Sequence, residues 1–251
     1  MTKKEIIRCM TACVNEQSDR QEMKERGVKN KKIFDEIWRF DYRSTQGHVG
    51  IVKREIHIVF DGSDSVQDGW LDWFGVTGNF NIKKTPVYMP NSLLTKKIIT
   101  NARVVTGNLN AYRDVKSNII NILTKLLGKF DFIYISGHSK GGSIAEIAAE
   151  NLAFKYCHPV KLISVSGSRA GNREFIELLI NRTIDHLKIY AERDPVPETP
   201  FKIQGFCDLP NMEVLKRTDI NAFKKFFWNM IPFHASSHWA DTVLKLAKEQ
   251  L

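Results

Sequence analysis

The chain has 251 residues, 26% of them charged and 43% hydrophobic, with a formal net charge of +9. That length buries one substantial core, and the composition excludes a collagen, a coiled coil and a wholly disordered chain. No apolar run approaches the roughly 18–20 residues that a membrane-spanning helix needs.

The excess charge is local. Residues 1–74 carry 13 basic and 13 acidic side chains, residues 75–130 nine and one, and residues 131–251 15 and 14. A basic stretch attracts phosphate, whether of nucleic acid or of anionic lipid headgroups, although a solvated face is the plainer explanation. Cys9, Cys13, Cys157 and Cys207 lack zinc-type spacing. No metal site is expected, and reduced thiols in a cytoplasmic protein are the default.

The N-terminus begins basic, but Arg8 interrupts its apolar stretch and Asn15 and Glu16 follow. An amphipathic helix is expected there rather than a cleaved signal. A second helix is expected over about residues 19–40, with Ile33, Phe34, Ile37, Trp38 and Phe40 on its apolar face. HVGIVKREIHIVF (48–60) alternates and is β-branched, which predicts one or two strands ending at Phe60. Residues 62–90 read as irregular and 103–106 as a short strand. Residues 108–127 place Leu109, Tyr112, Val115, Ile119, Ile122 and Leu126 on one helical stripe. From there, apolar strands at 130–136, 160–166 and 186–192 alternate with helices at 143–156 and 173–180. That alternation predicts an α/β fold with a mostly parallel central sheet. The expected organisation is a single domain, with N-terminal helices to residue 44 and a core over 45–251.

Gly137-His138-Ser139-Lys140-Gly141 fits G-x-S-x-G and sits between a buried strand and a helix. So tight a turn strains the serine backbone, and the flanking glycines remove the side chains that would clash. The hydroxyl is then exposed at a helix N-terminus, where free N–H groups favour an oxyanion. Ser139 is therefore the candidate nucleophile. The phosphate-loop alternative needs GxxxxGK[ST], which is absent. In this arrangement the chain order is Ser, then Asp or Glu, then His. Asp194 follows the strand HLKIYAE, at the edge where such sheets bind ligands. Asp185 precedes that strand and Glu192 is expected within it. Two histidines come later, His234 and His238; His238 directly precedes an apolar-periodic helix and is favoured, with His234 as the alternative base. His138 is too close to the nucleophile, and His48, His57, His158 and His186 precede Asp194. The oxyanion hole needs one N–H from Lys140 and one from the loop after IHIVF (56–60), where Ser63 is the candidate.

With these residues in place, the chain resembles the class 3 lipases of the α/β-hydrolase superfamily, typified by fungal triacylglycerol lipases. IHIVFDGSDSVQDGWLDW (56–73) is similar to the family's apolar strand with its RG[ST] and D-W region, and GNLNAYRDVKSNIINIL (107–123) to its G-F-x-x-A-Y helix. GHSKGG (137–142) resembles GHSLGG, SGSRAGNREF (166–175) resembles G-x-P-R-x-G-N-x-x-F, and RDPVP (193–197) resembles N-D-x-V-P. HWADTVLKL is a looser match to the histidine-bearing end.

The resemblance implies a cofactor-free esterase on lipid or small esters, with Ser139, Asp194 and His238 as triad and Ser63 and Lys140 as oxyanion hole. It also implies a lid within about residues 64–92, which here carries Trp70, Leu71, Trp73 and Phe74. Asp61, Lys140 and Ser168 depart from the family's arginine, leucine and proline. AFKKFFWNMIPF (222–233) is a second candidate for membrane contact. The rival readings are a phospholipase or lysophospholipase at an anionic membrane, an inactive binding module, and, on charge alone, a nucleic-acid-associated protein. With the serine motif present, no nucleic acid is expected as partner.

Overall fold

The computed structural model describes residues 1–21, 33–43, 45–62, 84–90, 97–126, 128–156, 158–216 and 238–251. Helix α1 (Lys3–Gln21) precedes strands β1 (Glu36–Tyr42), β2 (Thr45–Val52) and β3 (Glu55–Phe60). Strands β4 (Lys84–Pro90) and β5 (Lys97–Val105) lead into α2 (Thr106–Leu126). Then come β6 (Phe132–His138), α3 (Lys140–Tyr156), β7 (Val160–Val165), α4 (Arg173–Arg182) and β8 (Asp185–Ala191). Strand β9 (Met212–Leu215) and helix α5 (His238–Gln250) complete the described chain.

Among the described residues, seven strands form one sheet in the order β1-β2-β3-β6-β7-β8-β9, while β4 and β5 pair as a separate ribbon. The first three are antiparallel neighbours, and β3, β6, β7, β8 and β9 run parallel. Successive residues point to opposite faces, and both faces are covered. Ile58, Ile135 and Leu162 meet Ile119 of α2, Ala148 of α3 and Phe175 of α4 on one side. Val59, Tyr134 and Ile163 meet Met10 of α1 and Val243 of α5 on the other. This two-sided burial explains why the central strands read as unbroken apolar runs.

Three sequence expectations need correction. Residues 36–42 form a strand, not the end of a second helix. The Ile33, Ile37, Phe40 spacing suits a helix, but these residues are also good strand formers, and pairing with β2 decides the matter. Phe40 then packs on Phe60 with ring centroids 5.5 Å apart. The stretch read as irregular contains β4, and the short strand at 103–106 is the end of the longer β5. β9 was not anticipated, because its burial comes only from the edge it adds to.

Helix α1 is fastened to the sheet by polar contacts. Glu5 accepts from the Lys161 ammonium at 2.7 Å and from the Tyr134 hydroxyl, and Arg8 pairs with Glu55. Cys9 Sγ lies 3.7 Å from His57 Nδ1, and the His57 ring stacks on Tyr134 at 4.7 Å. Burial would raise the Glu5 carboxyl, but hydrogen bonds from Lys161, Tyr134 and Thr2 outweigh it and hold it at about 2. Glu5 therefore adds stability above its ordinary 4.5 that is lost as pH falls towards 2.

His57 acts at higher pH. Burial pushes it below 6.5 against the pull of Glu55, 3.6 Å away, while Arg8 and His48 push the same way as burial. The fold favours neutral His57, so its contribution is full above 6.5 and declines below, where the unfolded chain takes up the proton first. The urea midpoint of the wild type is expected to fall between about pH 7 and about pH 5, with a clearly smaller slope for His57→Gln. Equal slopes for the two proteins would contradict this assignment.

Candidate active site

β6 ends at His138 and α3 begins at Lys140, so Ser139 alone makes the turn. Its φ is +56°, in the left-handed region. Its N–H donates to the Val165 carbonyl at 2.9 Å, and its carbonyl accepts from Gly142 N–H at 3.0 Å. The strain, about 1–3 kcal/mol, is held by the tight approach of α3 to the sheet. That approach requires glycine: a Cβ at Gly141 would lie 2.5 Å from the Phe60 carbonyl oxygen, and one at Gly137 2.9 Å from Gly142 N. Lys140 is the first residue of α3, so its N–H lies at the N-terminal end of that helix, next to Ser139.

The loop after β3 runs beside this turn. A Cβ at Gly62 would sit 3.6 Å from Ser139 Cβ and 3.3 Å from the His138 carbonyl oxygen. Asp61, which stands where the resemblance expects arginine, accepts the Gly62 N–H at 2.7 Å, and its own N–H donates to Gln46 O at 3.0 Å. Ser63, His234, the aromatic residues of the expected lid and residues 222–233 lie outside the described residues.

Asp194 sits just beyond β8. Arg193 turns the chain with φ +68°, and Asp194 N–H donates to Ala191 O at 3.1 Å. The Asp194 carboxylate is only 4% exposed and accepts Val196 N–H at 3.0 Å. Asp185 opens β8 at the opposite edge, where it pairs with the Met1 amino group. Glu192 lies outside the strand and is exposed, not within it as the sequence suggested. His238 opens α5, and its side chain is outside the described residues. Ser139, Lys140, the Gly62 loop and Asp194 are thus gathered at the C-terminal ends of parallel strands.

Sequence reasoning missed the segment that joins the nucleophile to the acid turn. Ser143 of α3 donates to the Ser168 carbonyl at 3.0 Å, and the two hydroxyls lie 2.6 Å apart. The adjacent Arg169 is 2% exposed. Its guanidinium donates to the Glu198 carbonyl, to Pro200 O at 2.9 Å, to the Glu198 carboxylate at 2.7 Å and to Asp208 at 2.7 and 3.2 Å. Asn172 caps α4 through Phe175 N–H and binds β5 through Arg103 N–H at 2.7 Å. The sequence signal for this was SGSRAGN (166–172), a lone arginine among small residues after a buried strand. Behind it, Ser164 donates to buried Glu146 at 2.8 Å and lies in register with Lys188, which is also fully buried. Burial lowers the Lys188 ammonium pKa and raises that of the Glu146 carboxyl.

A largely parallel sheet covered on both faces, with a serine elbow after one strand and a buried acid turn two strands further on, defines an α/β-hydrolase fold. The chain belongs to the class 3 lipase family, whose model, Lipase (class 3), matches residues 58–204. It is 28% identical over 134 residues to secreted mono- and diacylglycerol lipase 1 of Fusarium solani, covering 52% of this chain and 40% of that protein. It is also 28% identical over 161 residues to phospholipase A(1) DAD1, chloroplastic, of Arabidopsis thaliana, covering 59% and 34%. The matched region is thus well under half of either relative. Among solved structures, Rhizomucor miehei triacylglyceride lipase superimposes with a TM-score of 0.64 at 18% identity, covering 84% of this chain and 79% of that one. Lipase II from Rhizopus niveus gives 0.65 at 21%, covering 86% and 81%. At such identities these structures establish the fold.

Proposed function

We propose that residues 45–251 form the catalytic domain of a serine hydrolase of lipid esters, with Ser139 as nucleophile, Asp194 as orienting acid and His238 as base. The observation that carries the reading is Ser139 alone in a left-handed turn at the start of α3, on the same sheet edge as the buried Asp194. His238 takes the Ser139 proton as the oxygen bonds to the ester carbonyl carbon. The N–H groups of Lys140 and Ser63 receive the oxyanion. The C–O bond to the alcohol then breaks as His238 returns the proton to the leaving oxygen. Water, deprotonated by the same histidine, adds to the acyl carbon, and the C–O bond to Ser139 breaks as His238 returns the proton to the serine oxygen and the acid leaves. Family membership and the glyceride lipase relative support lipid esters as substrate class.

A second reading, phospholipid cleavage at an anionic membrane, is favoured by the Arabidopsis relative and by the exposed basic residues Arg103, Arg113, Lys125 and Lys129. No helix among the described residues is long and apolar enough to cross a membrane. The test is a fluorophosphonate probe with adduct mapping, alongside short-chain esters, diglyceride and phosphatidylcholine or phosphatidylglycerol. The expected adduct is on the Ser139 peptide, with turnover of at least one ester class. No adduct and no turnover would overturn the hydrolase. Preference for diglyceride over both phospholipids would dismiss the second reading.

A further inference from the structure

The segment Glu198–Asp208 leaves and returns to one point. Glu198 and Pro200 at its start and Asp208 at its end all bind the Arg169 guanidinium, and Cys207 N–H donates to Gly171 O at 2.9 Å. It is a compact surface loop with closed ends. Its tip is folded on itself. Phe201 N–H donates to Gln204 Oε1 at 2.9 Å, and Gly205 N–H donates to Lys202 O at 2.8 Å with Gly205 at φ +77°. Phe201 is nevertheless 60% exposed and Ile203 96% exposed, while the next apolar residue, Phe206, is buried.

Isolated exposed apolar residues are ordinary. Here two bulky ones alternate within one rigid turn, and that turn begins a few residues beyond Asp194. Its base, Arg169, belongs to the segment directly after β7, whose last carbonyl holds Ser139 N–H. The loop thus follows the turn of Asp194 in the chain and is anchored, through Arg169, to the segment directly after β7. We propose that Phe201 and Ile203 form a fixed apolar prong that inserts into the lipid surface from which the ester is drawn. This rests on the lipid-ester reading above, and it assigns interfacial contact to residues separate from the expected lid.

The occupant follows from the chemistry. Lys202 between the two apolar residues is paired with Asp208 at 2.9 Å, so the tip offers apolar area with little free charge. That suits a lipid–water boundary, including a neutral one, better than an acidic protein or nucleic acid. Because the turn is already closed by its own hydrogen bonds, insertion costs little ordering entropy.

The experiment compares wild type with the double variant Phe201→Ser, Ile203→Ser. Partition onto phosphatidylcholine vesicles, and onto vesicles containing phosphatidylserine, is measured by sedimentation. Turnover of a short-chain ester below its aggregation limit is measured in parallel. The variant is expected to lose about 10–100-fold in partition on both vesicle types. Its turnover of the dissolved ester is expected to stay within about twofold. Unchanged partition, no partition by the wild type, or a loss confined to anionic vesicles would overturn the prong. A wild-type dimer dissolved by the substitutions, with vesicle binding intact, would assign the tip to a second copy and also overturn it. If the dissolved ester is not hydrolysed yet partition falls, the hydrolase fails and the prong stands. If hydrolysis proceeds and partition is unchanged, the reverse holds.

Discussion

Ser139→Ala is expected to lower turnover by roughly four to six orders of magnitude while leaving the protein folded. In the mechanism proposed above the hydroxyl forms the acyl-enzyme, and the elbow offers no second nucleophile to replace it. Lys140 contributes through its backbone, and the buried His138 precedes the turn on β6. His238→Ala is expected to cost about as much, and the Ser139→Ala, His238→Ala pair little more than either alone, because the two act in one proton transfer. His234→Ala is expected to stay within about tenfold of wild type. Rates on a dissolved ester, with circular dichroism to confirm folding, decide the matter. A His234→Ala defect matching that of Ser139→Ala, with His238→Ala near wild type, would move the base to His234.

Arg169→Met is expected to be among the most destabilising single substitutions, at about 3–5 kcal/mol. Removing the guanidinium leaves Asp208 with Lys202 as its remaining charged partner among the described residues, and it takes the donor from the carbonyls of Glu198 and Pro200. Arg169→Lys keeps the charge but not the planar fork, and one ammonium cannot reach all these acceptors in their present geometry. Catalysis is expected to suffer beyond the stability loss, because the same bonds set the position of the turn carrying Asp194. On the proposed triad, displacing Asp194 takes the imidazolium's partner away, so kcat should fall with KM little changed. The acid limb of the pH–rate profile should also move to lower pH. Denaturant midpoints, together with kcat and KM measured well below the melting temperature, separate the two effects. A destabilised Arg169→Lys with normal kcat and pH profile would confine Arg169 to folding.

Both expectations show which parts of the site were legible in the chain. Ser139 was readable because strand, glycines and helix are contiguous, so local sterics alone force the elbow. The place of Asp194 just beyond β8 was readable because strand polarity fixes which sheet edge that turn lies on. Arg169 was not, since its five acceptors lie about 30–40 residues downstream in regions with no local pattern. Residues 36–42 misled for a related reason. Their apolar spacing fits a helix as well as a strand, and only the partner strand β2 resolves the ambiguity.

The uneven +9 also changes meaning. Asp114 is the single acid among residues 75–130, and it lies 3.7 Å from Arg43, outside that stretch. Lys116 is half-buried, and burial together with Lys155 and Arg113 lowers its pKa. Part of the excess is therefore a crowded cationic surface on α2 and α3 rather than a charged lid.

The sequence by itself determined the α/β class and the strand–serine–helix elbow at Ser139. These depend on near-neighbour sterics, on periodicity and on strand polarity. Only the tertiary structure decided that 36–42 joins the sheet, that Arg169 ties the acid turn to the nucleophile segment, and that Phe201 and Ile203 face water. Each of those outcomes depends on residues far apart in the chain whose geometry and free energy appear only once they are packed together.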